Sequence, residues 1–270
     1  MLNLESKLRN ILKDVLPPAI TRMYQHYNST KSREWVRGNY PTWEDAKNHS
    51  SPYKTDLEIH GKQHLKWKNG VEMPKLWSFP LLSGLLYAAI EKKRLHVLDF
   101  GGNLGLKYYE FKKILSAIDD VQWCIVDLPH IYEYGRKHLE DDRIKFFKLI
   151  EDAMKQCEFD VVVFGCVLLY LDEPYELIKK ISGLNFDYIF VDRTPLLGGD
   201  KERFMVQSTP AYLGEGRLAL RLLSENKFVE AIGSNYLLVG EHSWKKHYPS
   251  EMDKPFADYK CLLYRSKRLG

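Results

Sequence analysis

Long apolar runs are missing from this chain. Its two most apolar windows, Leu76 to Ile90 and Val161 to Leu171, are broken by polar residues or end early, short of the roughly 18 residues a membrane-spanning helix needs. No basic segment leads into an apolar stretch after Met1, so the sequence predicts no secretory leader, a cytoplasmic location and a silent Asn28-Ser-Thr30 sequon. Cysteine is scarce: Cys124, Cys157, Cys166 and Cys261 form no Cys-x-x-Cys pair and lie far apart, so no disulfide scaffold is needed and they are predicted to be reduced core residues. Charge of one sign is not in excess, because 40 Lys and Arg against 36 Asp and Glu leave only +4, and that argues against a dedicated nucleic-acid binder. There is no Gly-x-Ser-x-Gly elbow and no phosphate loop ending in Gly-Lys-Ser/Thr, so hydrolase and kinase chemistry lack support. His60-x-x-x-His64 has metal-ligand spacing on a helix, but no adjacent Glu and no third ligand accompany it, and no metal is expected.

What remains is an ordinary globular composition, 270 residues and 44% apolar, enough for one large domain with an appendage. Leu4, Leu8, Ile11, Leu12 and Val15 recur at helical spacing until Pro17-Pro18. This predicts a packing helix or, with Lys7, Arg9 and Lys13 opposite, one in weak contact with a membrane surface. From residue 30 to 75 the periodicity fades, while Trp35, Trp43 and Trp67 mark an ordered cap. The expected division is a cap over 1–78 and a main domain over 79–270 with an insertion at about 193–226.

In the main domain, short apolar runs alternate with amphipathic segments. Strands are predicted at 95–100, 121–127, 144–147, 159–164 and 186–192. Helices are predicted at 81–91, on the face Leu104, Tyr108, Phe111, Leu115 and Ile118, at about 131–139, and between Asp172 as N-cap and Gly183 just past the end. Five alternating strands imply right-handed crossovers and an α/β fold, a doubly wound and mostly parallel sheet covered on both faces. Beyond it, a helix at 216–226 and short strands at 228–232, 236–240 and 259–264 are expected, the strands forming an antiparallel addition to one sheet edge.

Ligands of such sheets bind beyond the carboxyl ends of the strands, where the strand order reverses. After the first strand comes Asp99-Phe-Gly-Gly-Asn-Leu-Gly105, in which Gly101, Gly102 and Gly105 allow close approach of a ligand and Asn103 completes the turn. Asp127, ending the second strand, can accept hydrogen bonds from both hydroxyls of a ribose, with Leu128 beside it. Together they indicate an adenosine-containing ligand. A dinucleotide fingerprint would need glycine at position 100, which is Phe. Asp99 would also repel a pyrophosphate while attracting the ammonium and sulfonium of S-adenosylmethionine.

Val97-Leu-Asp-Phe-Gly-Gly-Asn-Leu-Gly105 with Tyr108-Tyr109, Val167-Leu-Leu-Tyr-Leu171, Asp192-Arg-Thr-Pro195, Val206-Gln207 and the upstream Trp35-x-x-Gly38-x-Tyr40-x-x-Trp43-Glu-x-Ala46 resemble a family of methyltransferases. That family is encoded in bacterial surface-polysaccharide gene clusters, and the resemblance runs from about residue 35 to the carboxyl terminus. It implies the seven-stranded class I methyltransferase fold, S-adenosylmethionine as donor, and a saccharide, nucleotide-sugar or lipid-linked glycan as acceptor. Two departures stand out: Asn103 where the wider class has its middle glycine, and the segment Ser-Thr-Pro-Ala-Tyr-Leu-Gly-Glu215 after Gln207.

Methyl transfer to a hydroxyl profits from a base or polarising group. The candidates are Asp192, Arg193 and Tyr170, with Arg193 as a clamp for an acceptor phosphate or carboxylate and Asp192 as base or orienter. Cys166 and Val167 are placed to line the cofactor, and Tyr40, Trp43, Tyr108 and Gln207 to wall the acceptor. The alternatives are a nicotinamide-dinucleotide-dependent sugar oxidoreductase and a non-catalytic scaffold that keeps the fold.

Overall fold

A computed structural model describes residues 36–51, 78–209, 216–246 and 257–270. The predicted amino-terminal helix and the His60/His64 pair lie outside the described residues. Strand β1 (Val36–Tyr40) and helix α1 (Trp43–Asn48) come first. The main domain follows as α2 (Phe79–Lys92), β2 (Leu95–Phe100), α3 (Leu106–Leu115), β3 (Val121–Val126), α4 (Pro129–His138), β4 (Ile144–Phe147), α5 (Ile150–Gln156), β5 (Val161–Gly165), α6 (Pro174–Gly183) and β6 (Tyr188–Leu197). The chain continues through β7 (Arg203–Thr209), β8 (Gly216–Ser224), α7 (Glu225–Ile232), β9 (Tyr236–Lys246) and β10 (Ala257–Ser266).

Strands β4, β3, β2, β5 and β6 are parallel neighbours in that order, as fully apolar runs such as Val161–Phe164 require when both faces of a sheet are covered. Strand β10 pairs antiparallel with β6, and β9 antiparallel with β10. A parallel sheet finished by one reversed strand inserted before the last is the class I methyltransferase-like arrangement that the resemblance implied, and β8, β7 and β1 extend the sheet to ten strands. Apolar side chains alternate between two cores. Helices α2 and α3 cover the face of Leu95, Val97, Trp123, Val163 and Phe190, while α5, α6 and α7 cover that of Leu98, Cys124, Val162 and Ile189. The order reverses at β2, whose neighbours β3 and β5 lead to opposite sides of the sheet.

Three expectations need correction. Residues 216–224 form strand β8 rather than a helix: the leucines favour a helix locally, but Leu218, Leu220 and Leu222 alternate with Arg217, Ala219 and Arg221, and residues 216–222 pair with β7 while Leu223 and Ser224 pair with β6. Residues 228–232 are helical rather than extended, because Ser224 caps α7 by accepting the Lys227 N–H while Phe228, Ala231 and Ile232 share one buried face. Asp172 is not the cap of α6, which starts after Glu173 and includes Gly183. Its carboxylate instead accepts Trp43 Nε1–H at 2.8 Å and Lys47 Nζ–H at 3.2 Å. Helix α5 carries too short an apolar stripe to be read from the sequence.

Past Asp192, opposite the last residue of β5, strand β6 continues and offers the vacated edge to β8 through Leu196–Leu223 and Leu197–Ser224. An antiparallel layer β8-β7-β1, backed by α1, thereby stands beyond the carboxyl ends of the parallel strands. Arg221 stacks on the rings of Trp43 and Phe204 at 4.8 and 5.3 Å and ties this layer together.

Candidate functional site

The glycine turn is built around a buried carboxylate. Asp99 is 1% exposed, and its Oδ2 accepts a hydrogen bond from Trp123 Nε1 at 3.0 Å. It lies under the turn rather than at its mouth. A Cβ on residue 102 would fall 2.5 Å from the Asp99 carboxyl carbon, so only glycine lets the chain cross it. Gly101, at φ +70, likewise meets the Val167 side chain where any Cβ would stand, and this brings the ends of β2 and β5 together. Desolvation pushes the Asp99 carboxyl up to about 7, the Trp123 bond opposes the shift, and the charges of Asp127 and Asp192 add to it.

Asn103 stands at φ +52, a left-handed conformation Asn tolerates, and its N–H donates to Asp127 Oδ2 at 2.7 Å. The Leu128 N–H donates to Asp127 Oδ1 at 2.7 Å. Asp127 thus clasps the turn to the end of β3, and each of its oxygens keeps a lone pair for a further donor. Burial pushes its carboxyl above the usual range while the two backbone bonds resist. Gly105, at φ +79, opens α3, whose first amides are free. Leu128 and Leu149, at the ends of the neighbouring strands β3 and β4, are 49% and 56% exposed and provide an apolar lip. Leu149 carries no local motif that could have marked it.

Across the crevice, Cys166 and Arg193 also hold positive φ, 58° and 51°, at the end of β5 and within β6. Such residues cost about 1–3 kcal/mol each and persist where surrounding contacts dictate them. At Arg193 the cause is a β-bulge: Thr194 pairs with Lys260 and Val191 with Leu262, leaving Asp192 and Arg193 both opposite Cys261. Asp192 is fully buried. Its Oδ2 accepts Arg193 Nε–H at 2.9 Å and its Oδ1 accepts the Cys261 thiol at 2.9 Å. Both oxygens are engaged, which suits an orienter of Arg193 better than a base. Burial would lower the Arg193 pKa, but Asp192, through its charge and hydrogen bond, together with Cys166 and Cys261 more than offsets it and raises the guanidinium pKa.

Tyr170, on the 3-10 turn Leu168–Tyr170 after β5, donates its hydroxyl to Gln207 Oε1 on β7 at 2.8 Å, so these two predicted site residues meet. Tyr40 and Trp43 are brought only to the flank. Tyr40 stacks on His49 with ring centroids 4.7 Å apart, and Trp43 is taken up by Asp172 and Arg221. Tyr108 is removed from the acceptor wall altogether, since it is 2% exposed and packed against Tyr109 and Trp123 in the core.

The structure adds residues that the motifs did not point to. Lys107, in the first turn of α3, is buried and bonded to Ser78 Oγ at 2.5 Å and Glu110 Oε2 at 3.0 Å, and burial lowers its pKa. Its side chain carries positive charge toward Asp99 and Asp192. Tyr259, two residues before Cys261, lies in the electrostatic range of Cys166 and Arg193. Among the described residues no group of three or more His, Cys, Asp or Glu could hold a metal. None of the four cysteines is in a disulfide, and Cys124 and Cys157 are in thiol–thiol contact at 3.2 Å. No helix among the described residues is long and apolar enough to cross a membrane.

No protein-family profile matches the chain, and no curated protein does. Solved structures similar to it include the N-terminal domain of EvdMO1 with SAH bound, at TM-score 0.47 and 10% identity over 70% of this chain and 81% of that one. An S-adenosylmethionine-dependent methyltransferase from Mesorhizobium loti aligns at TM-score 0.43 and 13% identity, over 70% of this chain and 97% of that one. The [4+2]-cyclase SpnF aligns at TM-score 0.40 and 14% identity, over 67% and 80%. Likeness this distant, shared between a methyltransferase and a cyclase, leaves the chemistry of this chain to its own site.

Proposed function

We propose that the protein is an S-adenosylmethionine-dependent methyltransferase acting on a hydroxyl, or less favourably an amine, of a saccharide or sugar-linked precursor in bacterial surface-polysaccharide synthesis. The observation that carries this reading is Asp127, which locks the glycine turn to β3 at the point where the strand order reverses and keeps lone pairs for ribose hydroxyls. The adenine would rest on Leu128 and Leu149. The sulfonium would lie near Asp99, whose carboxyl is close enough to those of Asp127 and Asp192 for their charges to raise its pKa. These three carboxylates outnumber the Lys107 and Arg193 cations that face them, a balance that favours a cation over a pyrophosphate. This weighs against the dinucleotide alternative.

When bound, the donor supplies an electrophilic methyl group. That group would pass to the acceptor oxygen, with the sulfur departing as a neutral thioether and the hydroxyl proton released as the ether forms. The protein's part is to hold the acceptor in line and dry. Arg193, fixed by Asp192 and Cys261, would clamp an anionic group of the acceptor. Tyr170, on the 3-10 turn after β5, and Gln207, on β7, would hold its hydroxyls. In this reading the segment 193–226, together with Tyr170 and Asp192, serves the acceptor, and the glycine turn with Asp127 and Leu128 serves the donor.

Calorimetric titration with S-adenosylmethionine, S-adenosylhomocysteine and NADH, each repeated on Asp127→Ala, tests the proposal. The expected result is binding of the first two, lost in the variant. Binding of NADH alone would transfer the site to the dinucleotide reading, and binding of none would favour a scaffold.

A further inference from the structure

Bare apolar surface gathers on one face of the molecule, where α2 lies beside the β9–β10 hairpin. On α2, Phe79, Tyr87 and Ile90 are 47%, 47% and 80% exposed, and with Ser83 they fall at i, i+4, i+8 and i+11, one stripe along the helix. The opposite side of the helix is fixed to the sheet at Gly84, where a Cβ would overlap the Phe190 ring. Leu237 and Val239 on β9 are 49% and 44% exposed. A recess of about 300 Å³ opens between the two elements, with Tyr87 and Val239 on its walls and Phe190 and Leu263 among the residues that line it. Leu237 pairs with Arg265, which holds Glu91 near the end of α2, so the patch is continuous from Ile90 to β9.

Among the described residues β9 pairs with β10 alone, which leaves its outer edge open. Its register shifts against β10, since Leu263 pairs with Gly240 and Tyr264 with Leu238, and Val239 is the extra residue between them. A bulge of this kind twists an edge and disfavours a further strand on it. The face is therefore suited to contact through side chains rather than through backbone pairing. Its rim carboxylates are already engaged within the chain, Glu91 by Arg265 and Glu241 by Lys260, which Glu225 shares. Selection here rests on shape and apolar area, not on an opposite charge.

The area matches what a homodimer requires. At roughly 200 Å² for a large side chain, Phe79, Tyr87, Ile90, Leu237 and Val239 leave about 500 Å² of apolar surface bare. A standard interface takes about 800 Å² per partner, of which about 65% is apolar in homodimers, and that is again about 500 Å². A two-fold interface must also complement itself, so one patch has to carry both a projection and a recess. Ile90 is the most exposed large apolar side chain among the described residues, and the recess opens beside Tyr87, one helical turn before it.

We propose that this face binds a second copy of the chain about a two-fold axis, with Ile90 of each copy seated in the recess between Tyr87 and Val239 of the other. Neither the glycine turn nor the Tyr170–Gln207 pair lies in the patch, so both crevices stay open in the dimer. The inference is independent of the methyltransferase reading.

Sedimentation velocity on the full chain tests it, with circular dichroism as the control for folding. A dimer is expected at micromolar chain concentration, and Ile90→Asp, or independently Val239→Lys, should weaken it at least about tenfold with the spectrum unchanged. Mixing the Ile90→Asp chain with the Val239→Lys chain should restore association that neither shows alone, because the mixed pair sets one opposite-charge contact beside one native contact. A dimer that persists unchanged in both variants overturns the proposal. So does a dimer that dissociates on Leu8→Glu with Leu12→Glu but not on Ile90→Asp, which assigns association to the apolar stripe near the amino terminus. A monomeric wild type overturns it as well, and binding of that monomer to phosphatidylcholine vesicles, lost in Ile90→Asp, would assign the face to a lipid surface.

Discussion

The two sides of the crevice are built in opposite ways. On the β2–β3 side, a single turn carries Asp99, Gly101, Gly102, Asn103 and Gly105, and one further residue, Asp127, closes it through a backbone bond. On the β6 side, apart from the Asp192–Arg193 pair of neighbours, the contacts span distant chain: Asp192 meets Cys261, Tyr170 meets Gln207, and Trp43 meets Asp172. The first side is strain-relieved by glycine and tolerates no side chain at 102. The second is strained at Cys166 and Arg193 and is held by neighbours in β10. A ligand group whose chemistry never varies suits the first design, and one whose identity differs between related enzymes suits the second, because long-range contacts can be exchanged without rebuilding a turn.

Substitutions on the two sides should therefore fail differently. The largest effect is expected from Asp127→Ala, which removes the ribose acceptor and frees the Asn103 and Leu128 amides; donor affinity should fall by about 100-fold or more by calorimetry. Gly102→Val comes next. Its Cβ collides with Asp99, so a melt should show a loss of about 1–3 kcal/mol together with loss of donor binding. On the other side, Arg193→Gln should leave donor affinity within about twofold and lower kcat/KM for an anionic acceptor by about 10- to 100-fold. Equal damage to donor and acceptor would mean that the two sides are not separable.

A smaller and more specific effect concerns pH. The folded pKa of Asp99, about 7, lies above the ordinary 3.8, so the folded protein holds a proton there that the unfolded chain has released. This contribution to stability is fully present below the unfolded value and is lost as pH rises through about 7. Ionisation at the same pH should strengthen binding of a cationic donor, so affinity is expected to rise between pH 6 and 8 in the wild type and to be flat in Asp99→Asn. The smallest change is Trp43→Phe, which deletes the bond to Asp172 and should cost about 1 kcal/mol, visible in a thermal melt with donor affinity unchanged.

The same division explains what was legible beforehand. Strands 95–100 and 144–147 fall where β-branched and apolar runs placed them, and the glycine turn with Asp127 was readable because its members are local or sit at predictable strand ends. The β8–α7 stretch was misread. Leucine favours a helix in isolation, and only pairing with β7 and β6 makes 216–224 extended. Tyr108, expected to wall the acceptor from its place on the first helix, instead faces the core, where the helical spacing it shares with Leu104 and Phe111 puts it against Trp123. Cys261, Lys107 and Leu149 had no motif around them, and their positions matter only through what the fold brings near.

The sequence by itself determined the alternation of strand and helix, the apolar faces and the chemistry available at the end of β2, since these depend on residue periodicity and on backbone freedom within a few positions. Only the tertiary structure decided that Asp99 is buried under its own turn. It alone put Asp192 to work as the fixed partner of Arg193, gave the edge β5 leaves free to β8, and opened a cavity beside Cys261. Those outcomes depend on desolvation and on contacts between segments tens of residues apart, and no local pattern encodes either.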